Sequence, residues 1–130
     1  MTGTVEAASD TLPPDIETMR EAASRLLDPD AVPEALPPVG EELAALTLQI
    51  KGHLELIAPE VRQAATKLPK DSIPRYCALG CVGEARDRLR ALPSPAPGGD
   101  VAYARRLARV LNALCDHFEN LGCEHRGAGQ

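Results

Sequence analysis

Apolar positions along this 130-residue chain recur at helical spacing in four separate stretches. In Pro14 to Leu27, the residues Ile16, Met19, Ala23, Leu26 and Leu27 share one face. From Val39 to Leu68 a stripe of Leu43, Leu46, Ile50, Leu54, Ile57, Val61, Ala64, Ala65 and Leu68 stays in phase across Pro59. A phase kept through a proline predicts one long helix kinked at Pro59, although "APEVRQ" could also open a new helix with proline in its first turn. A third helix is predicted from about Ser72 to Leu92, with Ser72 or Asp71 as its cap and Pro74 in its first turn. Its apolar arc is Ala78, Val82, Ala85, Leu89 and Leu92, with Cys81 inside the arc and Cys77 at its margin. The last stretch, Val101 to Leu121, is the cleanest. Tyr103, Ala104, Leu107, Ala108, Val110, Leu111, Leu114, Cys115, Phe118 and Leu121 fall on one arc, and Arg105, Arg106, Arg109, Asn112, Asp116 and Asn120 lie opposite. Asp100 is placed to cap this helix and Gly122 to end it.

Proline-rich breaks separate the stretches: "TLPPD", "VPEALPPVG", "LPKDSIP" and "LPSPAPGGD". Proline breaks a helix interior and is accepted in a first turn, so each break reads as a stop followed by a start. Amphipathic helices with short connections predict an all-α fold, an antiparallel four-helix bundle in which every stripe faces a common centre. The boundaries read as a disordered tail over residues 1–11, a single helical domain over 12–122 and a flexible tail over 123–130.

The long helix carries a second, narrower apolar patch opposite its main stripe, formed by Ala45, Leu48, Gly52 and Leu56. An apolar patch without cover favours association. The first helix, through Ile16, Met19 and Leu26, is the expected internal cover; a protein partner or a second copy forming a homodimer is the alternative.

Composition narrows the function. Two Tyr, one Phe and no Trp leave a core of small aliphatic side chains, which suits helices and gives strands little to build with. A net charge of −5 lacks the clustered cations that displace counterions from phosphate, so no nucleic-acid partner is expected. With no apolar run of spanning length and no basic start followed by an apolar segment, neither membrane insertion nor export is expected, and the location predicted is cytoplasmic. In that compartment the four cysteines stay reduced.

The sharpest chemical candidate is "RYCALGCVGEARDRLR". Cys77, Cys81, Glu84 and Arg88 form a stripe of their own, in which Arg88 could lower a thiol pKa or two thiolates could take zinc with a histidine from elsewhere. Only His117 is placed to reach them, and the paired knuckles of structural zinc sites are missing, so packing is the favoured role for both thiols. Cys123 and His125 read as incidental. The glycines of "GCVGEAR" follow no strand and lack phosphate-loop spacing, so they are expected to allow close helix contact. His53 reads as a hydrogen-bonded boundary histidine with no nucleophile beside it. Arg105, Arg106 and Arg109 are a conceivable docking face for an acidic partner. No catalytic, cofactor-binding or metal-ligating residue is assigned, and no cofactor is expected.

Three runs carry a resemblance: "LTLQIKGHLELIAPEVRQAATKLP", "CVGEARDRLRALP" and "YARRLARVLNALCDHFENL", with "GHLELIAPEV", "GEARDRL" and "ARRLAR" as motif pieces. The chain from about Leu12 to Leu121 resembles a family of short uncharacterised actinobacterial proteins labelled as natural-product biosynthesis proteins. The resemblance implies a place near secondary-metabolite genes and brings no catalytic residue with it. Two readings follow. The favoured one is a non-enzymatic helical accessory or interaction protein working through Ala45, Leu48, Gly52 and Leu56 or through the arginine face. The alternative is a small metal- or thiol-dependent protein or enzyme using Cys77 and Cys81.

Overall fold

The computed structural model describes residues 14–27 and 40–129, with side chains as far as Leu121. The tail expected over 1–11 and the proline-rich break that precedes Gly40 lie outside the described residues. All regular structure among the described residues is helical: α1 (Ile16–Leu27), α2 (Gly40–Thr66), α3 (Ile73–Arg90) and α4 (Gly99–Gly129).

Each start has a local cause. Asp15 caps α1, accepting from the Thr18 amide at 3.1 Å and the Thr18 hydroxyl at 2.8 Å. These bonds to the ionised form, the hydroxyl foremost, hold the Asp15 carboxyl below its ordinary pKa. Ser72 caps α3 as predicted: its Oγ accepts from the Arg75 amide at 3.2 Å, and Pro74 sits in the first turn. Entry into α4 instead uses Gly98, at φ +80°, followed by Gly99, where a Cβ would collide with the Ser94 backbone. Asp100 therefore lies within the first turn and is not the cap. Gly122, expected to end α4, lies inside it, since a helical glycine costs only about 1 kcal/mol and no proline follows it.

α2 is one uninterrupted helix through Pro59, so "APEVRQ" does not open a second one. Pro59 is exposed, on the side where the Glu55 carbonyl that it leaves unbonded can reach water. The buried stripe of Leu43, Leu46, Ile50, Leu54, Ile57, Val61 and Ala65 passes it unbroken, as the phase argument required.

Packing follows the stripes. α2 and α4 share the most extensive contact, α1 and α3 flank this pair on either side, and α1 and α3 do not touch among the described residues. Up-down direction is fixed by side chains: Arg20 meets Asp116 at 2.8 Å and Glu119 at 2.6 Å, while further along α1 the Leu26 carbonyl meets Arg105 at 3.2 Å, earlier on α4. α1 and α4 are thus antiparallel, as the short connections make α2 with α3 and α3 with α4. The predicted four-helix bundle is the observed architecture.

The predicted inward face of α4 is buried, apart from Phe118, which is half-buried. Small residues set the spacing: α3 buries only Ala78, Val82 and Ala85, and Ala104 and Ala108 are fully enclosed on α4. Leu92, assigned to the arc of α3, lies beyond its end and is 85% exposed. Tyr103 is the one buried aromatic among the described residues. Its hydroxyl donates to the Arg88 carbonyl at 3.2 Å, and Lys51 Nζ lies 5.3 Å from its ring centroid.

Candidate functional site

The thiols are dispersed by the packing. Cys77, placed at the margin of the core, is exposed; Cys81 is half-buried; Cys115 is fully buried, and all three are free. α3 buries too narrow a strip to enclose Cys77. Desolvation pushes the Cys81 thiol up to about 11, with Glu84 and Asp116 adding to the shift, so Arg88 does not activate it. Arg88 is instead drawn to Glu84, at 3.6 Å, an i,i+4 pair. Burial likewise raises Cys115 to about 11. Among the described residues no three of His, Cys, Asp and Glu converge as a metal site would need. His117 is half-buried on α4 and joins no such group.

His53 departs from the hydrogen-bonded role expected of it. Its Nε2 is buried and has no hydrogen-bond partner among the described residues. Burial lowers the imidazole pKa from 6.5, opposed in part by the Asp15 carboxylate. The folded chain therefore binds a proton there less readily than the unfolded chain does. Stability is fully retained above pH 6.5 and lost as the pH falls from that unfolded value toward the lower folded one. In urea titrations, the unfolding midpoint is expected to drop between pH 7.5 and 5.5, and to drop less in His53→Gln; equal drops would remove His53 as the cause.

The arginine face is partly structural. Arg105 Nε donates to the Leu26 carbonyl, one of the free acceptors at the end of α1, whereas Arg106 and Arg109 are exposed. Arg105→Ala is thus expected to lose about 1 kcal/mol in chemical denaturation, and Arg106→Ala close to nothing. Arg75 Nη1 plays the same part at the end of α2, donating to the carbonyls of Thr66 at 3.0 Å and Leu68 at 3.2 Å. Neither capping role is legible in helical periodicity.

The outer face of α2 stands out. Leu48 is 69% exposed and Leu56 is 64% exposed, two turns apart, with Gly52 between them. α1 does not cover them: Met19 and Leu26 are buried in the core and Ile16 packs at its edge. The face is rimmed by the exposed carboxylates Glu41, Glu42, Glu55 and Glu60. Within Gly40–Val61 the one cation, Lys51, is drawn to the Tyr103 ring. A Cβ at Gly52 would meet no atom within 4 Å. The same holds at Gly80 and Gly83 on α3, so the close helix contact expected of those glycines is not made among the described residues.

A second apolar area flanks the first turns of α3. Ile73 is 74% exposed and Tyr76 is 80% exposed. An open groove of about 630 Å³ runs beside them, lined by Lys70, Arg75, Tyr76, Cys77, Leu79 and Gly80. Periodicity missed this area because Ile73 and Tyr76 stand in the opening turns, before the buried arc begins.

No metal cage is assembled among the described residues. No helix among them is long and apolar enough to cross a membrane. No curated protein and no solved structure matches the chain significantly. A family of unknown function matches residues 17–123, which take in all of α2 and α3 and most of α1 and α4. The chain belongs to this family, DUF6415.

Proposed function

We propose that this protein is a non-enzymatic interaction module that presents the outer face of α2 to another protein. The observation that carries this reading is the pair of leucines, Leu48 and Leu56, standing in water on a well-packed helix whose opposite side is already fully used by the core. Isolated exposed leucines are common on protein surfaces. Two of them aligned on one stripe, joined by Ala45 and Gly52 and rimmed by carboxylates, form an amphipathic docking strip of the kind that accepts a helix. The strip is an acidic-rimmed apolar surface, so its partner carries apolar anchors with basic neighbours. A setting in natural-product biosynthesis in an actinobacterium is supported by the sequence resemblance.

The reading is tested by placing a photo-reactive phenylalanine analogue at Leu56 in the native host, with the exposed Arg106 position as control. Adducts at Leu56 that vanish when Leu48→Glu is added, with the melting temperature unchanged, are the expected result. No adduct at Leu56, or equal adducts at both positions, would make the strip tolerated surface.

A further inference from the structure

Resting on that reading, we propose that the occupant of the α2 strip is a second copy of this chain, seated through the groove beside its α3, so that two copies close reciprocally about a two-fold axis.

Charge complementarity is the first support. The strip is apolar with Glu41, Glu42, Glu55 and Glu60 around it, against two cations on the helix, Lys51, engaged by Tyr103, and Arg62, beyond Pro59. The groove is also apolar, through Tyr76, Leu79 and Gly80, but its charged lining residues are Lys70 and Arg75, the latter held by the Thr66 and Leu68 carbonyls, and no carboxylate lines it. Each surface supplies what the other lacks, and such matching fixes register and steers encounter.

Spacing is the second support. Leu48 and Leu56 are about 12 Å apart along their helix axis, and Ile73 and Gly80 are about 10 Å apart along theirs. Leu56 of one copy would sit over Gly80 of the other, where no atom lies within 4 Å of a Cβ position, while Leu48 lies beside Ile73. Gly52 then gives the Tyr76 ring room to lie against α2. A glycine in a helix interior weakens the helix, and no described residue crowds a Cβ at half-buried Gly52 or exposed Gly80.

Topology is the third. The strip lies opposite the core stripe of α2, and Arg75 and Leu79 line the groove where α3 borders α2, so both surfaces belong to the side of the hairpin directed away from α4. Because α2 and α3 run antiparallel, the strip occupies one end of this side and the groove the other. A dyad lying in the plane of this side, oblique to both helices and passing between strip and groove near the level of Pro59, turns the strip of one copy to face the groove of the other, and back again. An isologous contact of this kind closes without leaving surface for a third copy. It also uses both areas at once, as a small protein must to approach the roughly 1,200 Å² of a stable interface.

The purified chain decides the matter. Light scattering on the size-exclusion column is expected to show twice the chain mass at tens of micromolar. Leu56→Glu and Gly80→Glu are each expected to return it to a monomer with an unchanged helical circular-dichroism signal and the Tm of the wild-type chain diluted until it dissociates. Lys70→Glu is expected to weaken the dimer at least tenfold, and Glu41→Lys in the same chain to restore it. In a Cys123→Ser background, Gly52→Cys is expected to give a covalent dimer under mild oxidation, lost when Cys77→Ser is added. A monomer at every concentration without cross-linking, or a dimer indifferent to both Leu56→Glu and Gly80→Glu, would overturn the proposal. If the purified chain is monomeric yet the photo-reactive group at Leu56 still captures a different protein in the host, the second copy is the wrong occupant and the interaction reading stands. If that capture also fails, both fall.

Discussion

Leu111→Ala is expected to lower unfolding stability by about 2 to 5 kcal/mol, toward the upper end of what a single buried leucine supplies. Leu111 is fully buried on α4, which touches each of the other three helices. Its loss removes transfer free energy and leaves a void that no single helix can fill by shifting. The neighbours that line such a void are held by contacts of their own. Urea or guanidinium denaturation, with Leu111→Met as a volume-conserving control expected to cost under about 1.5 kcal/mol, separates cavity formation from general intolerance. Equal, small losses in both variants would mean that the interior around Leu111 is not close-packed.

Ala85→Leu is the opposite experiment and is expected to cost about 1 to 3 kcal/mol by overpacking. α3 is anchored by Ala78, Val82 and Ala85, of which two are alanines, so its axis sits close to α2 and α4. Three extra carbons at Ala85 must lift the helix from both neighbours, because a methyl-sized site has no slack. The loss should be concentrated in α3: amide exchange is expected to accelerate through residues 78–89 while the centre of α4 keeps its protection. A leucine accepted at this position without loss would show that α3 packs loosely.

Much of this architecture is written in apolar spacing. The stripe of α2 and the arc of α4 were legible apart from Ala58, buried but not read, and Ala64, Leu68 and Phe118, which are only half-buried, because long helices sample the 3.6-residue period many times. Ser72 was legible too, since a cap is a local event. Roles that depend on where one helix lies relative to another were not. Arg105 and Arg20 sit on a side of their helices that periodicity marks as polar, and only the docking of α1 against α4 turns one into a cap for Leu26 and the other into a partner for Asp116 and Glu119. Cys77 fell on the wrong side of a boundary because a wheel gives the angle of a residue and not the width of the strip a neighbour covers. The α2 patch was visible as a patch. Its exposure was not, because α1 could have lain on either side of α2, and the choice rests on packing distant in sequence. The groove beside α3 left no trace in periodicity, since it is made by Lys70 of the connecting loop and the first turns of that helix.

The place of α1 in the bundle bears on how the chain is made. The polar links of α1 to α4 join residues separated by 79 to 99 positions. At about 5 to 20 residues per second, the ribosome delivers those partners roughly 4 to 20 s after α1 has emerged. A free segment of this length is too short to hold a stable helix in water. Throughout that interval Met19, Ala23 and Leu26 have no finished pocket, while the α2–α3 hairpin can already pair from local contacts. Of the described helices α1 is therefore the last to dock, and the nascent chain carries its unburied apolar face past the ribosomal exit until α4 arrives to close it.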